Sequence, residues 1–384
     1  MIRLVMAILT VMVAQGELQA QSAEALDPRA RVSMNPNSQI PDHISEIVGP
    51  APTAEVYNGA LTPRTLYRVE ADPDAGFHWP YYLFVPEVVA PGSAVLIEPN
   101  NDGLSGAPFE THDYWAAIRN EQLFIDYGQH LGTPVLTPVF PRPLDDGRDG
   151  NLYIHAMTRA AMLHEDPRYA RPDRQLLAML DDAHAKLAAS GFDVGEDALF
   201  WGFSAAGDFV TRMAVLHPER VRAVAAGGLG GLPILPVTEL DGETLSFPVG
   251  VADLELITGR ALNVEALRQT PVLLYQGGAD ENDSVREPPF TCDAFRSDSY
   301  SCEQAQWVNE TFGASTLDRV PFVQDLYAEF GMRDLNSLVL PGVEHTTPPE
   351  MEARIRDFFS CVLAGESACA AGVSLSEGIT EHNE

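Results

Sequence analysis

From about residue 90 onward the chain alternates short apolar runs with longer stretches of helical period. SAVLIEP (93–99), TPVLTPVF (133–140), ALFWG (198–202), VRAVAAGG (221–228), PVLLYQGG (271–278) and NSLVLPG (336–342) lack the in–out alternation of a half-wet strand. They read as strands covered on both faces. Between them, FETHDYWAAIRNEQLFIDYGQHLG reads as an amphipathic helix ending near Gly132. DRQLLAMLDDAHAKLAASG reads as a helix stopped by Gly191, and PPEMEARIRDFFSCVL as a closing helix. Strands alternating with helices predict βαβ units, hence an α/β fold with a mostly parallel central sheet flanked by helices.

Other stretches break this rhythm. Residues 21–60 have little periodicity and read as an N-terminal extension; 366–384 read as a polar C-terminal tail. The segment 228–270 is longer than a usual strand-to-strand connection and carries an Asp-Gly hairpin signal in ELDGETLSF. It reads as a cap inserted between the sixth and seventh strands of a domain spanning 61–365.

The run ALFWG ends in GFSAAG, so Ser204 sits among small residues between a strand and a helix. A serine hydroxyl becomes a nucleophile when a histidine takes its proton and a carboxylate orients that histidine. On an open sheet these groups collect beyond the carboxyl ends of strands. Asp280 follows PVLLYQGG and His345 follows the last strand, giving the chain order Ser204, Asp280, His345. Asp283, three residues on, is the rival acid. His217 reads as structural, while His112 and His155 are candidates either to line a pocket or to make core contacts.

GFSAAG, LHPERVRAV, the GGAD loop and VEHTTPPE together resemble the α/β-hydrolases over about residues 65–363. The elbow departs from the usual pattern by placing Ala206, not glycine, two positions after the serine. The resemblance implies a catalytic triad of Ser204, Asp280 and His345. It also implies an oxyanion hole made by the backbone N–H of Ala205 and of Asn101, with Asn100 as runner-up in the NNDGLSG loop. More broadly, the layout is similar to secreted bacterial esterases and polyester depolymerases. This implies a carboxylic-ester hydrolase acting on small or polymeric esters through an acyl-enzyme, with no cofactor and no metal. A serine peptidase or an acyltransferase would share the triad. A non-catalytic binding protein on this fold would have lost a member of it, and here all three stand.

The net charge of −31, with Lys186 the single lysine, argues against nucleic acid or anionic lipid as partners. The acidity fits either solubility with arginine-biased coding or a saline habitat. Residues 1–20 carry Arg3, the apolar run Leu4–Ala14 and a small residue at Ala20, the pattern of a signal peptide too short to span a bilayer. A secreted or periplasmic protein is expected, in which cysteines oxidise. Cys292, Cys302, Cys361 and Cys369 allow three connectivities. Local pairing, Cys292 with Cys302 and Cys361 with Cys369, is the expected one, because the spacing does not match a zinc site. EADPDAG and PLDDGRDGN lack the ligand spacing of a calcium loop and read as turns. Oligomeric state is left open.

Overall fold

Nine strands form one sheet because their residues supply two hydrophobic cores at once. The computed structural model describes residues 52–103, 105–121, 125–144, 152–285, 290–293, 297 and 299–374. The expected signal peptide, most of the N-terminal extension, most of PLDDGRDGN and the end of the tail lie outside them. In chain order the strands are β1 (Glu55–Val56), β2 (Thr65–Val69), β3 (Tyr81–Val85), β4 (Ser93–Ile97), β5 (Val135–Pro138), β6 (Val194–Phe203), β7 (Val221–Gly227), β8 (Glu239–Leu240), β9 (Glu243–Thr244), β10 (Val272–Gly277) and β11 (Leu335–Leu340). The large sheet has the order β1-β2-β3-β5-β4-β6-β7-β10-β11, and β8 and β9 form a separate hairpin. Pairing is antiparallel where β3 meets β2 and β5, and parallel elsewhere in this sheet.

Successive residues of the central strands enter opposite cores. Val95, Ile97, Ala198 and Phe200 pack on one face with Leu176, Leu180 and Leu187 of the helix Pro172–Ala189 and with Phe209 and Met213 of the helix Ala205–Leu216. Ala94, Leu96, Leu199 and Trp201 pack on the other, with Ala116 of the helix Phe109–Arg119 and with Ile355 and Phe359 of the helix Pro349–Leu363. That is why these strands show no polar alternation: each buried large side chain contributes about 1.5–3 kcal/mol from either face. This layered, mostly parallel sheet with its strand-to-helix serine turn is the α/β-hydrolase fold expected above.

Of the stretch 109–132 expected to be helical, Phe109–Arg119 and Ile125–Leu131 are α-helix, and 122–124 lie outside the described residues. The expected extension contributes β1, an edge strand beside β2. The tail is docked as far as Ser374. Asp334 accepts the backbone N–H groups of Cys369, Ala370 and Ala371, and Asn336 donates to the carbonyls of Ala370 and Val373. Cys361 bonds Cys369 across this turn, and Cys292 bonds Cys302.

The insertion at 228–270 runs from β7 to β10. Its Asp241-Gly242 turn has both residues at positive φ, 52° and 84°, as a tight hairpin needs. Side chains of the body grip its backbone. Arg159 donates to the Phe247 carbonyl and pairs with Asp253, while Arg171 and Arg174 reach the carbonyls of Ile257 and Thr258. Tyr327 donates to Ile234 O and Tyr300 to Leu232 O. Buried His217 is structural, as expected: it bonds Asp173 at 2.8 Å, tying the end of one helix to the start of another. In EADPDAG, Asp72 accepts the N–H groups of Asp74 and Ala75, closing a turn.

Candidate active site

β6 ends at Phe203, and Ser204 follows with φ 61° and ψ −127°, a strained pair for a residue with a side chain. Its neighbours hold it there. Ser204 N–H donates to the Gly227 carbonyl of β7 at 2.8 Å, and the helix Ala205–Leu216 begins at once. A Cβ on Gly202 would lie 2.2 Å from the Ala206 oxygen, so only glycine fits before the turn. On the helix side the close approach falls at Gly207, where a Cβ would lie 2.8 Å from the Gly227 oxygen. Ala206 therefore breaks the familiar spacing without blocking the turn. Ala205 opens the helix, so its N–H has no partner within the helix ladder.

The acid and histidine loops are built against each other. Gly278 N–H donates to Leu340 O and Ala279 N–H to Val343 O, across the ends of β10 and β11. A Cβ on Gly277 would sit 2.3 Å from the Val343 oxygen, which accounts for the glycine there. This brings Asp280 Oδ2 to 2.7 Å from His345 Nδ1. The carboxylate also accepts Gln276 Nε2 at 2.9 Å and the Asn282 N–H at 2.9 Å. Fully buried and triply bonded, it holds the imidazole with Nδ1 protonated, which makes Nε2 the accepting nitrogen. Asn282 Nδ2 donates to that Nε2 at 3.1 Å. Asp283 turns elsewhere, pairing with buried Arg319 at 2.7 Å and accepting Val285 N–H.

The His345 ring lies 4.7 Å, centroid to centroid, from the ring of Phe203, the residue before Ser204. Gly228, next to the carbonyl that binds Ser204 N–H, has no room for a Cβ beside Phe203, and His345 Cε1 would be 3.2 Å away. Phe203, Gly228 and His345 thus lie together beside the Ser204 turn at one corner of the sheet.

The loop after β4 reaches the same corner. Asn101 Nδ2 donates to Phe203 O at 3.4 Å, and Tyr153 Oη donates to Asn101 Oδ1 at 3.2 Å. Asn100 N–H is taken by Glu98 Oε2 at 2.9 Å, which leaves Asn101 as the loop's candidate donor. Behind the loop, Asp102 pairs with Arg119, and Gly103 packs on the His112 ring so closely that a Cβ would lie 2.4 Å from it. Buried His112 accepts Arg142 N–H, and His155 donates to Phe140 O at 2.7 Å. Burial pushes their pKa values down to about 4 and about 3, so both are neutral struts of the loop rather than acids or bases. Among the described residues no cluster of three or more His, Cys, Asp or Glu side chains is placed to hold a metal ion.

Sequence reasoning missed Glu98, Tyr153, Gln276 and Asn282. Glu98 carried a signal, a lone carboxylate at the end of an apolar strand. The other three are brought to the site by folding alone.

No family model matches the chain, and no curated protein sequence does. Solved structures do match in fold. A poly(aspartic acid) hydrolase-1 from Sphingomonas sp. KT-1 is 18% identical, with 74% of this chain and 95% of that one covered at a TM-score of 0.46. LpqC, a poly(3-hydroxybutyrate) depolymerase from Bordetella parapertussis, is 18% identical over 80% of this chain and 92% of its own, TM-score 0.44. An arylesterase is 11% identical over 84% and 90%, TM-score 0.40. At such distances no residue role or substrate transfers, and the fold rests on the strand order given above.

Proposed function

We propose that this protein is a serine hydrolase that cleaves carboxylic esters, polymeric ones included, outside the cytoplasm. The observation that carries the reading is the fully buried Asp280 carboxylate 2.7 Å from His345 Nδ1, at the corner where Ser204 caps a strained turn. In this mechanism Ser204 Oγ attacks the ester carbonyl while His345 Nε2 takes its proton. Asp280 stabilises the resulting imidazolium, and the N–H groups of Ala205 and Asn101 hold the oxyanion. His345 returns the proton to the departing alcohol. Water then attacks the acyl-enzyme, with the same imidazole as base, and frees the acid and the serine.

Two disulfides support export, and no helix among the described residues is long and apolar enough to cross a membrane. The test is hydrolysis of p-nitrophenyl esters from acetate to decanoate, with Ser204→Ala beside the wild type and a fluorophosphonate probe on both. The mutation lowers kcat by at least about a thousandfold with folding intact, and the probe labels Ser204. A wild type that neither hydrolyses an ester nor takes the label refutes the reading.

A further inference from the structure

β4 is followed at once by Glu98, a carboxylic acid only 2% exposed. An ionisable group buried at the foot of a catalytic loop calls for a reason, since an apolar residue would fill the space at lower cost. Its Oε2 accepts the N–H of Asn100 at 2.9 Å. Asn100 stands at φ 43°, a left-handed conformation that asparagine adopts more readily than most residues and that its local hydrogen bonds hold here. Other ties are the Asp102 N–H to Asn100 Oδ1 at 3.1 Å, Asn101 Nδ2 to Phe203 O, Tyr153 Oη to Asn101 Oδ1 and the pair of Asp102 with Arg119. Glu98 therefore grips the peptide immediately before the one whose N–H faces the oxyanion in the mechanism above.

We propose that Glu98 is a positioning residue: by fixing the Asn100 peptide it aims the Asn101 N–H at the developing oxyanion. This rests on the serine-hydrolase reading. The charged groups facing Glu98 are Arg119, from the helix Phe109–Arg119, and Asp102, from the loop itself. His112 stands behind the same loop and is neutral. Burial raises the Glu98 carboxyl to about 7, against the pull of Arg119 and helped by Asp102. The bond to Asn100 is charge-assisted on the alkaline side of that value and weaker on the acid side.

The test uses the full chain with Glu98→Gln and Glu98→Asp. Gln keeps an acceptor oxygen at the same reach but cannot ionise. Asp keeps the charge but is shorter by one methylene. On p-nitrophenyl acetate, Glu98→Asp loses about tenfold in kcat with KM unchanged, and Glu98→Gln recovers most of it. Hydrogen exchange over 99–103, corrected for intrinsic rates, shows lost protection in Glu98→Asp and not in Glu98→Gln. Equal kcat in all three proteins, a loss confined to KM, or unchanged exchange in Glu98→Asp overturns the proposal. Absence of fluorophosphonate labelling in the wild type overturns the serine-hydrolase reading instead, and the exchange data still judge Glu98's hold on the loop.

Discussion

Replacing Glu98 by Gln changes how stability responds to pH, in a direction fixed by the raised pKa. The carboxyl titrates at about 7 when folded, against 4.5 for an exposed glutamate. Between those values the folded chain holds a proton that the unfolded chain has released, so stability falls as pH rises. The stabilising proton is fully in place below the unfolded value and gone above the folded one. The separation corresponds to about 3 kcal/mol across the whole window, at 1.36 kcal/mol for each pH unit. Other carboxylates titrate in both proteins and cancel in the difference. The assay is urea unfolding of wild type and Glu98→Gln at several pH values from roughly 5 to 8. The stability of wild type relative to the variant declines by about 2–3 kcal/mol over that range. A flat difference refutes the argument, because it would mean that Glu98 is already ionised at the acid end and is solvated or paired more fully than its burial indicates.

Asp280→Asn and Asp283→Asn separate the roles of the two aspartates of their loop. The first lowers kcat about ten-thousandfold, by analogy with the serine-protease triad. The second leaves buried Arg319 without its counter-charge and costs about 3–5 kcal/mol of stability, with kcat per folded molecule near wild type. Steady-state kinetics beside thermal melts reads both, and the reverse pattern would exchange their roles. Gly202→Ala forces a methyl to within 2.2 Å of the Ala206 oxygen. It costs about 1–3 kcal/mol and cuts fluorophosphonate labelling of Ser204, so wild-type labelling in a folded variant would refute the tight-turn account. Cys361→Ser with Cys369→Ser, opening a loop closed over a separation of 8 residues, lowers stability by about 2–3 kcal/mol in denaturant unfolding; an unchanged midpoint would mean that Asp334 and Asn336 alone hold the tail.

The parallel half of the sheet was legible because its strands are buried on both faces, and unbroken apolar runs such as SAVLI and ALFWG announce that. β2 and β3 were not. TLYRV and YYLFV pair antiparallel near one edge of the sheet, where no βαβ rhythm frames them. Ser204, Asp280 and His345 could be picked out because each follows a strand end in a fixed chain order. The choice between Asp280 and Asp283 could not be closed on spacing, since both lie in one loop. It is decided spatially by Arg319, which comes from a helix far along the chain and takes Asp283. Asn282 gave no signal, because a hydrogen bond to an imidazole nitrogen leaves no trace in periodicity.

The anchorage of the insertion bears on how this protein can change over generations. Arg159, Arg171, Arg174, Tyr300 and Tyr327 grip main-chain oxygens of the segment 228–270, which every residue type offers alike. Exposed side chains in that segment, unlike its buried Leu232, Ile234 and Phe247, can be exchanged without loosening the clamps. Natural variation can therefore remodel the insertion's surface one residue at a time while the body and its chemistry stay put, and a laboratory library confined to these positions would inherit the same tolerance.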